Sequence, residues 1–126
     1  MAKALASDNF RVAIATSSTR EKSQAVLDSA EIPYKQMAYI TGSEVKNKKP
    51  DPELFLKAAS AINIIPPNCV VIEDAPDGVT AAKNAQCKCI AVTNSFPREK
   101  LNKADLICNS LTEIDIQTLT NLLRSS

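Results

Sequence analysis

The stretch Val70-Val71-Ile72-Glu73-Asp74-Ala75-Pro76-Asp77-Gly78-Val79-Thr80-Ala81-Ala82 passes from a short apolar run, through two adjacent carboxylates, into a helical pattern. An apolar run of this length, bounded by turn residues, is typical of a strand buried on both faces. Val79, Ala81, Ala82 and Ala85 then place apolar side chains at helical spacing. Strand followed at once by helix is half of a βαβ unit, so the rest of the chain is expected to alternate in the same way.

It does so in both directions. Downstream, Ile90-Ala-Val92 reads as a strand and Leu106-Ile-Cys108 as a short last one. A final helix is expected near Ser110, where Glu113 completes a capping-box spacing. Upstream, Val12-Ala-Ile-Ala15 ends in Thr16-Ser-Ser-Thr19, and Ser18 with Glu21 predicts a helix start that runs through Ala25, Val26 and Leu27 to a stop at Pro33. A weaker strand covers Met37 to Ile40. Asp51-Pro52-Glu53 supplies an N-cap, a proline at N1 and a first-turn acid for a helix whose apolar face is Leu54, Phe55, Ala58, Ala59 and Ile62. Pro66-Pro67 ends the connection that follows. The fold class is α/β, a Rossmann-like three-layer α/β/α arrangement with a mostly parallel sheet, and residues 1–126 form a single domain.

Composition narrows the function. With 15 basic and 14 acidic residues the net charge is +1, which gives no electrostatic footprint for nucleic acid or an anionic membrane. The longest apolar runs are far too short to span a bilayer, and the N-terminus is too weakly apolar for a secretion signal, so a cytoplasmic protein is expected. Cysteines 69, 87, 89 and 108 match no zinc spacing, and the chain has no His. Cys69, Cys89 and Cys108 lie in strand-like runs, where a free thiol behaves as a small core hydrophobe.

Three polar clusters remain. Thr16, Ser17 and Ser18 follow one strand, Glu73, Asp74 and Asp77 follow another, and Lys49 enters a helix from a loop. In open parallel sheets, ligands bind outside the carboxyl ends of the strands. Singly each cluster has a plain alternative: an N-cap for the hydroxyls or for Asp74 and Asp77, a solvated side chain for Lys49. Jointly they supply hydroxyls and amides for phosphoryl oxygens, a point charge to neutralise them, and carboxylates for Mg²⁺. Those are parts of a phosphoryl-transfer site that lacks a nucleophile.

The same residues resemble the haloacid dehalogenase-like hydrolases. Val12-Ala-Ile-Ala-Thr16-Ser-Ser18 is similar to their second motif and Lys49-Pro50-Asp51-Pro52-Glu-Leu-Phe55 to the third, in its phosphoglucomutase-like form. Val70 to Lys83 is similar to the fourth, and Ile90 to Ser95 to the strand and loop beyond it. The resemblance implies a phosphatase or phosphomutase acting on a phosphorylated small molecule. It makes Thr16 and Lys49 catalytic, with Thr16 and Lys49 on the phosphate, Ser18 near substrate, Asp74 on Mg²⁺, and Glu73 helping directly or through water. Gln86 stands where the family often has Gly.

The family's first motif, Asp-x-Asp-Gly-Thr, has no counterpart: no two aspartates here lie two residues apart. The resemblance therefore implies an incomplete core without its nucleophile strand and cap, inactive alone for want of an attacking carboxylate. In the family that strand lies between the strands matching Val12–Ala15 and Val70–Ile72. Either these two pair directly, bringing the Thr16 and Asp74 loops together, or another chain fills the gap, by homodimerisation or complementation. The competing function class is a non-catalytic interaction or remnant domain. A receiver-like module fits poorly, because it leaves the Lys-Pro motif unexplained.

Overall fold

The structure, a computed structural model, describes residues 11–31 and 38–124. In chain order the regular elements are β1 (Ala13–Ala15), α1 (Arg20–Ser29), β2 (Ala38–Ile40), α2 (Glu53–Ala61), β3 (Val70–Glu73), α3 (Pro76–Asn84), β4 (Lys88–Val92), β5 (Leu106–Cys108) and α4 (Ile116–Arg124). The expected stop at Pro33 and the strand start at Met37 fall outside the described residues.

All strand pairs are parallel, as the alternation of elements predicts, but they form two sheets. β1 pairs with β2, Ile14 opposite Tyr39. β3, β4 and β5 pair in that order, with Ile72 opposite Ile90 and Ala91 opposite Ile107. Direct pairing of β1 with β3, one of the two expectations for the gap, does not occur. The physical reason is α2: its apolar face packs on β1, on β2 and on α3 at once. Phe55, Ala58 and Ala59 of that helix border the space left between β1 and β3.

The period of the strands divides the core in two. Cys89 and Ala91 of β4 point to one side, into a cluster with Leu54, Phe55, Val79, Ala81, Ala82, Ala85 and Leu101. Ile90 and Val92 point to the other, toward Cys108, Ile114 and Leu119. Helices α2 and α3 therefore cover one face and α4 the other, which is the three-layer arrangement. Leu54 is 1% exposed and Phe55 6%, so each contributes roughly 1.5–3 kcal/mol by burial.

Three local details differ from the sequence pattern. Thr19, not Ser18, caps α1, its side chain accepting from the Lys22 N–H. Ser18 is taken up by the preceding loop, its N–H donating to Thr16 Oγ1 at 3.2 Å and its carbonyl accepting from Gly42 N–H at 2.9 Å. The capping box of Ser110 and Glu113 forms, yet it closes only a 3₁₀ turn over Leu111–Glu113. Helix α4 starts later, where Asp115 Oδ1 accepts from the Thr118 N–H at 2.8 Å. Gln86, at the end of α3, sits at φ 68°, a left-handed position that glycine occupies more cheaply.

Candidate functional site

β3 ends in the acidic turn. Glu73 Oε2 accepts from Lys49 Nζ at 2.9 Å, and the two side chains are only 11% and 17% exposed. Glu73 Oε1 also accepts from the Asp74 N–H at 3.2 Å. The carboxylate lies over the first turn of α3, in space open only because residue 78 has no side chain: a Cβ on Gly78 would overlap Glu73 Cγ, Cδ and Oε2. Lys49 is steadied from its other side by the Phe55 ring, whose centroid lies 5.3 Å from Nζ.

Asp74 points elsewhere, its Oδ2 accepting from Ser95 Oγ at 3.2 Å. The N-cap of α3 is Ala75, with Pro76 in the first turn and Asp77 as a first-turn acid, so neither aspartate is a capping residue. Among the described residues no three of His, Cys, Asp and Glu converge as a metal cage. A hard cation wants six or more oxygens. Asp74 and Ser95 offer suitable donors, but too few, while Glu73 is held by Lys49.

The loop that delivers Lys49 is anchored by Glu53. Its carboxylate accepts from the Lys46 N–H at 3.0 Å and the Asn47 N–H at 2.9 Å, and Lys57 pairs with it at 3.3 Å. Asp51 Oδ1 accepts from the Glu53 N–H at 2.9 Å, but the helix starts one residue later than the Asp-Pro-Glu pattern predicts. Pro52, not Asp51, is the N-cap, and its carbonyl takes the Leu56 N–H. The Lys46 and Asn47 N–H donors, ahead of Lys57, hold the Glu53 carboxyl down to about 2 from 4.5. A depressed carboxyl stabilises the fold above its unfolded pKa and loses that contribution as pH falls through its folded one. The 46–49 loop is therefore expected to loosen between about pH 4.5 and 2. Amide shifts of Lys46 and Asn47 in the folded chain should titrate together near the folded value of about 2 and stop titrating in Glu53→Gln.

The hydroxyl loop after β1 is tied to the loop after β2. Thr16 N–H extends the ladder to the Ile40 carbonyl at 3.0 Å, and Gly42 packs directly on Ser17 and Ser18. Thr41 is fully buried and donates to Glu44, which pairs with Arg20. Arg20 in turn lies 4.7 Å over the Tyr39 ring. Burial works to raise the Glu44 carboxyl, but hydrogen bonds from Thr41 and Arg20 outweigh it and leave the group below its ordinary value. The structure thus joins Lys49 to Glu73 and Asp74 to Ser95. Thr16, Ser17 and Ser18 form a separate loop at the end of β1.

Arg20, Thr41, Gly42, Glu44, Phe55 and Ser95 were not picked out from the sequence as site residues. Phe55 had a signal, since an aromatic one turn into a helix after Lys-Pro falls near the lysine. The Arg20–Glu44 pair spans 24 positions and had none.

Between the sheets lies a cavity of about 320 Å³. Ala13 and Ala15 of β1 form one wall, Val70 to Glu73 of β3 the other; Phe55, Ala58 and Ala59 of α2 line it from one helix layer, and Leu119 and Leu123 of α4 from the opposite one. A space walled by two strand edges and covered by helices has the surroundings of a β-strand.

The family model described as haloacid dehalogenase-like hydrolase matches residues 1–92. The chain belongs to that family. As a haloacid dehalogenase-like chain it is 36% identical, over 101 residues, to validoxylamine A 7'-phosphate phosphatase of Streptomyces hygroscopicus subsp. limoneus, covering 80% of itself and 47% of that protein. It is 35% identical over 109 residues to hexitol phosphatase A of Escherichia coli, covering 86% and 50%. Among solved structures, β-phosphoglucomutase of Clostridium difficile superposes with a TM-score of 0.80 at 31% identity, covering 94% of this chain and 51% of that one. CbbY of Rhodobacter sphaeroides, in complex with phosphate, gives 0.84 at 27%, covering 94% and 55%. The chain spans about half the length of the curated relatives it matches.

Proposed function

We propose that this haloacid dehalogenase-like chain is the phosphate-handling part of a phosphatase or phosphomutase for a phosphorylated small molecule. The supporting observation is Lys49, pinned by Glu73 over Gly78 and by the Phe55 ring near the end of β3. A fixed ammonium there neutralises a phosphoryl group, and the hydroxyls and amides of Thr16, Ser17 and Ser18 hold its oxygens. When bound, Mg²⁺ would offset phosphoryl charge, with Asp74 as its ligand and Ser95 orienting that carboxylate. Glu73 acts in this scheme by aligning Lys49. The attacking carboxylate comes from a first-motif segment outside residues 1–126, on a longer gene product or on another polypeptide, that fills the cavity between β1 and β3. Free thiols at all four cysteines support a reducing, cytoplasmic setting.

The test separates binding from turnover. The isolated chain is expected to bind inorganic phosphate in the presence of Mg²⁺. Lys49→Met should weaken that binding about tenfold, about 1.4 kcal/mol, as expected for losing one charge-assisted hydrogen bond. Hydrolysis of p-nitrophenyl phosphate should stay at the buffer rate with or without Mg²⁺. Turnover by the isolated chain that vanishes in Asp74→Ala would place a nucleophile within residues 1–126 and overturn the division of labour. Absence of phosphate binding would leave a non-catalytic interaction domain as the better description.

A further inference from the structure

Cys69 and Cys87 stand on the rung just before the β3–β4 ladder begins. Val70 is opposite Lys88, and the Lys88 N–H donates to the Cys69 carbonyl at 3.0 Å. Neighbouring strands run about 4.7–4.9 Å apart, inside the Cα separation of about 4.4–6.8 Å that a disulfide spans. One rung before Val70 and Lys88 in a parallel register, Cys69 and Cys87 project to the same face of the sheet, and both pack in the cluster under α2 and α3. Cys87 belongs to the buried core cluster against which Cys69 packs, and the Cys69 thiol donates to the Ile64 and Ile65 carbonyls at 3.9 and 3.6 Å.

The remaining cysteines lack this arrangement. Cys89 is one pleat further on and fully buried, and Cys108 belongs to the core on the opposite face of the sheet. Cys69 alone of the four is not buried, which makes it the thiol that a small oxidant reaches first.

We propose that Cys69 and Cys87 form a cross-strand dithiol that closes to an intramolecular disulfide when it meets hydrogen peroxide. The Cys69 thiolate attacks one peroxide oxygen and the O–O bond breaks. The departing hydroxide takes up a proton to become water, and Cys69 is left as a sulfenic acid. The Cys87 sulfur then attacks the Cys69 sulfur, the S–O bond breaks, and water leaves with the Cys87 proton. Two thiols are oxidised, one peroxide is reduced, and two waters are released.

The ring so closed contains β3, the Glu73-Asp74 turn and the whole of α3. The bridge would therefore staple the acidic module of the site at its open end, and restrict the unfolded chain over that segment. Desolvation pushes both thiols above their ordinary range, Cys87 to about 11. Closure is accordingly slow at neutral pH and accelerates as the solution becomes more alkaline.

The test treats the whole chain with hydrogen peroxide, alkylates it under denaturing conditions and maps the peptides by mass. The expected result is one Cys69–Cys87 bridge and the loss of two hydrogens. Cys89 and Cys108 stay reduced, the thermal midpoint rises, and dithiothreitol reverses the change. In Cys87→Ser, Cys69 should pass on to sulfinic acid or to intermolecular dimers, and the rise in midpoint should vanish. Sulfinic acid at Cys69 in the unmutated chain while Cys87 stays reduced would overturn the proposal. So would Cys69–Cys69 dimers as its main product.

Discussion

Gly42→Ala is expected to lower the unfolding free energy by about 2–3 kcal/mol, the upper part of the range for overpacking a tight contact. In a domain of this size that is roughly 10 °C in thermal midpoint. Glycine is not required here by backbone conformation, since no glycine among the described residues has a positive φ. It is required by space. A Cβ would overlap the Ser17 carbonyl oxygen and come within 3.0 Å of Ser17 C and 3.2 Å of Ser18 O. These are backbone atoms at the end of a strand, so no rotamer change relieves the clash and the two loops must separate. The Gly42 N–H would then lose the Ser18 carbonyl that it reaches at 2.9 Å. Urea unfolding of the variant measures the cost. A change below about 0.5 kcal/mol, the usual scale of a surface substitution, would mean that the loops part freely. Phosphate affinity should fall in the same variant, because the Ser17 and Ser18 amides move with the loop.

How much of this was legible beforehand depended on the range of the interactions. Ile90–Val92 was readable because a strand buried on both faces is apolar at every position. Val70–Ile72 is equally apolar, yet it stands half-buried with its side on the cavity, where its sequence predicts a fully buried strand. The parallel order followed from their alternation with helices. A gap between β1 and β3 was legible as one of two alternatives, because the family's first-motif strand has no counterpart here. That the two strands would not pair directly was not legible, because it depends on how far α2 reaches across β1, β2 and α3. At Thr19 and Ser110 the local rule was sound but underdetermined. Two or more hydroxyls competed at the first helix start, and Ser18 was claimed by Gly42 from a distant loop. At Ser110 the box closed a 3₁₀ turn, because Asp115 was a second capping residue a few positions on. The acidic pair shows the same limit. Adjacent carboxylates after a strand suggest a shared cation, whereas the fold turns Glu73 to Lys49 and Asp74 to Ser95. The lysine lies 24 positions from its partner, and only the glycine under the carboxylate hinted at where that side chain would lie.

That pairing makes the second large effect. Lys49→Met should cost about 2–3 kcal/mol, because it leaves a carboxylate that is 11% exposed without its counter-charge. Glu73→Gln should cost less, since an amide keeps an acceptor for the lysine and is cheaper to bury than an ion. In the double variant Lys49→Met/Glu73→Gln most of the loss should return, giving a coupling of about 1.5–2 kcal/mol in a double-mutant cycle. Gly78→Ala provides an independent route to the same state. There the new Cβ meets the flexible end of Glu73 rather than backbone, so the carboxylate swings away and the helix survives. Its stability should stay near that of the unmutated chain, because the gain in helix propensity from Gly to Ala offsets part of the lost ion pair. Phosphate binding should nevertheless drop, since the lysine is no longer aligned. If Gly78→Ala binds phosphate as well as the unmutated chain, then Glu73 is dispensable for placing Lys49, and the ring of Phe55 is enough to hold it.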